Sequence, residues 1–445
     1  MKPKLNLVIF SSSLHDNTSV INSRKELFDG IRRFADLRLV YPSMLATGRS
    51  ALEGMIDGGQ PGGLSLSGAG EGKTLCFIAT GGTEEIFRDY IDVLPRPVLL
   101  LSDGLHNSFA ASFEIKTWLA QQGIGAVLFN APLDGDPAFF GQLGEALSDS
   151  GSLCQTAVPS EALPRFSKNV EKAFEKTKIG LIGGASGWLI ASDIDRAAVE
   201  KSYGVRFEDI ALQEVEEAFA ATPPDAEEIG AICHRMERFL TGGRTREDLI
   251  EAARMYLALR GLCAEHALQA FTLKCFGILN SCRTTACLAL ALLNDEGIVA
   301  GCEGDIPSLL TMLYVKYVYG QPAFMANPSS SNRKECTIDF AHCTIPTAMV
   351  HGYRLPSHFE SQSGIGIAGS VPSGRYRIVK ITGKALDECY EAEGDLIMNT
   401  NIPQRCRTQI RFRFSSEAEF DRFLQVNKGN HIILCRAAGP AGPSH

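Results

Sequence analysis

The sequence has no apolar run of about 18 residues, the length a membrane-crossing helix needs, so no membrane partner is expected. The opening MKPKLNLVIFSSS holds an apolar run that suits a buried strand and is too short for an export signal. Basic charge is also scarce. Lys and Arg total 43 against 51 Asp and Glu, a net charge of −8. That balance argues against nucleic acid as the main partner and leaves room only for a local basic pocket for a small anion. Two glycine fingerprints are missing. GAGEGKT (68–74) has Ser67 where a phosphate-binding loop needs glycine, and it runs into a strand rather than a helix. GGASG (183–187) follows a strand but lacks GxGxxG spacing, so it gives a dinucleotide site little support. Disulfides are not expected either. The 13 cysteines are odd in number, and several sit in apolar runs, as Cys76 does in TLCFIAT. A free thiol there behaves as a small buried hydrophobe. These absences together point to a reducing, cytoplasmic setting.

What is present is an alternation of short apolar runs and helical stretches. At 445 residues the chain predicts two or three domains, and 45% apolar with 21% charged residues is ordinary for a globular protein. LNLVIF (5–10), TLCFIA (74–79), PVLLLS (97–102) and GAVLFN (125–130) read as buried strands, with a helix over 107–122. A charged helical linker (165–178) leads to a second such unit, with strands at 179–182 and 207–212 and a helix from Thr245 capped with Asp248. The last hundred residues are strand-like: ECTIDF (335–340), GIGIAG (364–369), GRYRIVKITG (374–383), RTQIRFRF (407–414) and HIILCR (431–436), with a helix over 417–424. The 58–72 stretch reads as a loop and the last nine residues as a disordered tail. The expected architecture is α/β: two Rossmann-like α/β domains, 1–172 and 173–330, followed by a β-rich, barrel-like domain, 331–445.

Ligands of open α/β sheets bind beyond the carboxyl ends of the strands, which makes strand ends a search list. GIVAGC (297–302) ends at Glu303-Gly304-Asp305, and Ile306-Pro307 then opens a helix. Asp305 fits as that helix's N-cap. Glu303 caps nothing and faces the crevice, as catalytic carboxylates do. A short strand, PAFMA (322–326), ends at Asn327, and another, CTIDFA (336–341), at His342. Either could be only a turn residue. GNHIIL places Asn430 and His431 at a strand entrance, and the 351–364 segment carries His351, His358 and Glu360. Lys274 interrupts the apolar FTLKCFGIL and needs either a partner or water for its amine. Trp188 suits core packing or stacking on a sugar face.

The segment CEGDIPSLLTMLYVKYVYGQPAFMAN resembles the L-fucose isomerase family, related to L-arabinose isomerases. ATGGTE (79–84), SDGLHNSFAASFEIKTWL (102–119), GGASGWLIAS (183–192), HFESQSGIGIAG (358–369) and CRTQI (406–410) are similar to later and earlier segments of its shorter, fucose isomerase-like members. The resemblance implies that Glu303 is the catalytic, metal-binding carboxylate and that Asn327 and His431 complete a site for a divalent metal, Mn2+ by the resemblance. It implies Asn430 and the Lys274 region near a monosaccharide, a homo-oligomer (trimer or hexamer), and first-domain residues reaching a neighbour's site; Trp188 and His358 are further substrate-binding candidates. Two positions depart from the pattern. Asn327 stands where the family has Asp, and an amide oxygen brings no charge to a cation. Ile432 stands where a second His is common.

Aldose–ketose isomerisation through a cis-enediol needs a base, an acid and stabilised negative oxygen. Glu303 is the expected base, with its pKa raised toward neutral by burial. His342 is the expected second acid/base or a further ligand. Oxygen and imidazole donors suit manganese. The competing readings are a sugar-binding protein of the same fold without catalysis, and a metal-dependent epimerase or lyase using enediolate chemistry.

Overall fold

Apolar strands that are buried on both faces need helices on either side, and this chain builds two such sheets before closing a barrel. The computed structural model describes residues 2–12, 15, 17–41, 53–56, 62–63, 72–148, 160–426 and 428–437. The 58–72 loop, apart from its residues 62–63 and 72, and the tail beyond 437 lie outside the described residues.

In the first sheet the strands Asp36–Tyr41, Lys4–Phe10, Lys73–Ile78, Val98–Ser102 and Ala126–Asn130 lie side by side in that order, all parallel. Glu53–Ile56 and Gly62–Gly63 extend one edge in antiparallel fashion. By position in the chain the parallel order is 2-1-3-4-5, a doubly wound sheet but not the 3-2-1-4-5-6 order of dinucleotide-binding domains. The order reverses between Lys4–Phe10 and Lys73–Ile78, so the crevice opens past Phe10 and Ile78. The second sheet has four parallel strands, Arg206–Ile210, Lys178–Ile182, Ala270–Leu273 and Val299–Cys302. Its long helix Arg246–Glu265 starts with the expected capping box of Thr245 and Asp248.

The third unit is a closed six-stranded antiparallel barrel. Gly374–Thr382, Ile432–Arg436, Phe324–Asn332, Thr337–His342, Thr408–Phe414 and Glu388–Asn399 follow one another, and the last pairs back on the first. Closure removes the exposed sheet edges. The helix Glu417–Gln425 covers one end, with Phe423 packed on Phe340 and Phe414. Three expectations need correction. The twelve-residue strand Glu388–Asn399 is not among the strands expected. GIGIAG contributes only Ala368–Ser370, to a two-stranded ribbon with Gly352–Arg354. The strand expected to stop before Asn327 runs on to Asn332, with a bulge between Pro328 and Ser330, because residues 327–332 pair with the strand Thr337–His342. Asn327 therefore stands in the barrel wall.

Among the described residues no helix is long and apolar enough to cross a membrane. The twelve described cysteines are all free, and eleven are buried.

Candidate active site

Glu303 is the first residue after the strand Val299–Cys302, and its φ is +64°. A non-glycine residue in the left-handed region is strained and persists only where its surroundings over-determine it. They do so here. Ser186 donates its N–H to the Glu303 carbonyl at 2.9 Å. Gly304 follows at φ +74°, and a Cβ there would lie 2.2 Å from the Gly184 carbonyl oxygen. The Glu303 turn is thus wedged against the 183–187 turn at the same sheet edge. Trp188, from that second turn, donates Nε1–H to Glu303 Oε2 at 2.6 Å. Its ring meets Phe276 edge-on, with centroids 5.1 Å apart.

Barrel register brings three more side chains to this carboxylate. Asn327 pairs with Ala341, one residue before His342, and Ala326 pairs with Ile432, one residue after His431. Asn327, His342 and His431 consequently gather on one rim. His431 is fully buried, and its Nδ1 lies 2.9 Å from Asp305 Oδ2. The carboxylate accepts that N–H, which turns Nε2 toward Glu303 Oε1 at 3.5 Å. His342 points its Nε2 to the same oxygen at 3.9 Å, with Nδ1 on Thr344 Oγ1 at 2.9 Å. Asp305 caps the helix Ile306–Tyr314 as expected, accepting from the Ser308 N–H at 2.8 Å. It also anchors His431 and lies 3.7 Å from the buried Lys380 amine. A cap residue here doubles as the orienter of an imidazole.

These neighbours decide the charge. Burial pushes the Glu303 carboxyl up, but the His431 charge and its contacts with both imidazoles bring it well below the ordinary carboxylate range. The expectation of a raised Glu303 is therefore reversed: the two imidazoles outweigh burial. Burial opposes charge on His431, yet Glu303 and Asp305 together raise it to about 9. His342 is lowered, chiefly by burial. Burial pushes Asp305 up as well, but the Lys380 charge and the His431 contact outweigh it and hold the carboxyl ionised, well below its usual value.

A small pocket lies over Glu303. The first domain lines it with Gly81, Gly82, Glu84, Asn107 and Ala111, the second with Trp188, Phe276 and Glu303, the last with Asn327, Glu360 and Asn430. Glu303, Trp188, Asn327 and Asn430 are thus brought together from the expected set, with His342 and His431 behind them. Two others stand apart from the lining. His358 is buried against Phe276, centroids 5.6 Å apart, and burial lowers it to about 4. Lys274 follows Leu273, which registers with Cys302, so it shares the sheet edge with Glu303. Among the described residues its amine makes no hydrogen bond or ion pair. Glu360 belongs to the 351–364 segment noted in the sequence, without a role assigned to it; Glu84 and Asn107 were not named as site residues. The turn after Lys73–Ile78, ATGGTE, carried a signal of the same kind as the one that found Glu303.

The residues fit a divalent cation. His431 Nε2 and the side-chain oxygens Oδ1 of Asn327 and Asn430 are buried without a hydrogen-bond partner. The two imidazole nitrogens lie 3.5 and 3.9 Å from Glu303 Oε1, long for hydrogen bonds and suited to donors sharing one ion. The lining carries three carboxyl groups and no Lys or Arg. Oxygen and nitrogen donors of this kind suit Mn2+ or a similar hard ion.

Comparison with known proteins adds a direction. No protein-family model matches the chain. A sulfoquinovose isomerase of Clostridium sp. (strain MSTE9) is 27% identical over 213 residues, 42% of this chain and 46% of that protein. Sulfoquinovose isomerases of Priestia aryabhattai and Priestia megaterium (strain ATCC 12872 / QMB1551) are each 24% identical over 238 residues, 49% of this chain and 53% of theirs. The chain spans about half the length of the curated relatives it matches.

Proposed function

We propose that the chain is an aldose–ketose isomerase for a monosaccharide bearing an anionic group, working through a cis-enediol with Glu303 as the base. The observation that carries the reading is Glu303 itself: ionised, strained into place, fixed by Trp188 and faced by two imidazoles. The relatives named sulfoquinovose isomerases support both the reaction class and an anionic substrate.

Glu303 takes the proton from C2 of the aldose and returns it to C1. Trp188 holds one of its oxygens and leaves the other toward the imidazoles. Asn430, whose Oδ1 lacks a partner, binds a sugar hydroxyl. Lys274, free and on the Glu303 edge, is our candidate for the anionic substituent. Glu303, Asn327, His431 and His342 would hold a divalent metal, which supplies positive charge to the oxygens that become negative in the reaction. Asp305 keeps His431 in the tautomer that presents Nε2. The same proposal includes a cytoplasmic location, from the unpaired cysteines of the sequence, and a homo-oligomer, trimer or hexamer, as the resemblance implies.

A second reading, sugar binding without turnover, is favoured by one residue: Asn327 brings no charge to the cation. A panel of neutral, phosphorylated and sulfonated aldoses separates the two. Ketose formation is followed by NMR after chelation and after re-addition of Mn2+. The isomerase reading expects a ketose from an anionic aldose, lost on chelation and restored by manganese. Sugar that binds and never converts favours the second reading.

A further inference from the structure

Isomerisation moves two protons, and Glu303 accounts for one. As hydrogen passes from C2 to C1, the oxygen on C1 must gain a proton and the oxygen on C2 must lose one. His342 is badly placed for this. Its Nδ1 is engaged with Thr344, and its Nε2 faces Glu303 within the donor set assigned to the metal.

Glu360 lines the same cavity as Glu303. Its Oε1 accepts a hydrogen bond from Asn107 Nδ2 at 2.8 Å, and among the described residues its other oxygen has no hydrogen-bond partner. Asn107 is unusual. It precedes the helix Ser108–Gln121 at the cap position, where Asn normally accepts from the first turn's N–H groups. No such bond is made; φ is +59°, and the side chain reaches a carboxyl 253 positions away. Strain of this kind collects where a group must be held in place for function. The loop carrying Glu360 is held as well. Arg407 Nε donates to the Ser357 carbonyl at 2.6 Å, and Ser361 binds His358 Nδ1.

We propose that Glu360 is the second proton carrier, serving the two sugar oxygens while Glu303 serves the two carbons. This rests on the isomerase reading. In the first half, Glu303 carboxylate takes the C2 proton, the C1–C2 double bond forms, and the C1 carbonyl electrons move to its oxygen, which takes the proton of Glu360. In the second half, Glu360 carboxylate takes the proton of the C2 hydroxyl, the C2 carbonyl forms, and C1 takes the proton from Glu303. Both carboxyls end as they began. Burial and the Glu303 charge raise Glu360 to about 7, against the Asn107 bond and the His431 charge, so it is poised to give up a proton and take it back near neutral pH. The Cys406 thiol, held protonated by burial, also faces it. A carboxyl tuned close to neutrality suits transfer in both directions.

The test uses wild type, Glu360→Gln, Glu360→Asp and Glu303→Gln, each loaded with Mn2+, on the converting aldose in D2O. NMR reads ketose formation and deuterium entry at C2 of recovered aldose. Glu360→Gln is expected to slow ketose formation about 10²–10⁴-fold at little-changed KM. Deuterium entry at C2 falls less, because Glu303 still works. Glu360→Asp recovers part of the rate, and Glu303→Gln loses both signals. Near-normal ketose formation by Glu360→Gln overturns the proposal, as does a defect in KM alone or an equal loss of both signals in both Glu360 variants. Wild type that converts no sugar in the panel overturns the isomerase reading itself, so the two failures are distinct.

Discussion

Two sets of buried carboxyls around the site stand in opposite states. On the barrel side, Glu303 and Asp305 are buried with His431 and Lys380 against them and stay ionised. On the first-domain side, Glu84 and Glu114 are equally buried and have no cation in hydrogen-bond contact; burial drives both up, Glu114 to about 7. Burial sets the cost of a charge, and the neighbour decides whether the charge survives it. One set is built to hold negative charge against a cation. The other keeps its carboxyls as acids.

The comparison breaks most visibly at Glu303. Glu303→Gln keeps the shape and removes the charge, and turnover should fall about 10²–10⁴-fold with the melting temperature nearly unchanged. Normal turnover in that variant sinks the base assignment. Next in size is Lys380→Met, which strips a buried amine from Asp305 and from Ser308 Oγ. Removing one partner of a buried pair costs about 3–5 kcal/mol, readable by urea unfolding. A loss within error of zero means that His431 alone sustains Asp305. Asp305→Asn retains a good helix cap but weakens the grip on His431 Nδ1. Manganese affinity by calorimetry should drop about 10–100-fold. Unchanged affinity contradicts the orienting role.

The smallest effect belongs to the opposite set. Glu114 accepts from the Ala191 N–H at 2.7 Å with Oε1, while Oε2 is buried without a partner. Its folded value, about 7, lies above the ordinary 4.5, so the folded state binds the proton more tightly. Stability therefore falls as pH rises from about 4.5 through 7. Glu114→Gln should gain on the order of 1 kcal/mol over wild type at pH 8 and much less at pH 5. An equal difference at both pH values removes titration as the cause.

Much of the ionised set was legible in the sequence. A buried strand ending at Glu303, with Ile306-Pro307 opening a helix behind Asp305, is local information, and the structure keeps it. The barrel rim was half legible. Strand ends marked Asn327, His342 and His431, but only antiparallel pairing shows that they adjoin. The strand Glu388–Asn399 was overlooked although Tyr390, Ala392, Gly394 and Leu396 alternate inward, because Glu391, Glu393 and Asp395 make the stretch look like a solvated loop. The protonated set was not legible. Nor was the Asn107–Glu360 pair: each residue lies in a segment similar to the family, but only tertiary packing brings them together across 253 positions. The charge on Glu303 failed for the same reason, since the imidazoles that reverse the effect of burial come from another domain.

The measurement nearest to the central claim is NMR of a sulfonated aldose with manganese-loaded wild type and Glu303→Gln in D2O. The account predicts ketose from wild type, with hydrogen transferred between C2 and C1 and partly exchanged for deuterium, and none from the variant. Equal conversion by both proteins, or a ketose formed without any C2–C1 transfer or exchange, contradicts it.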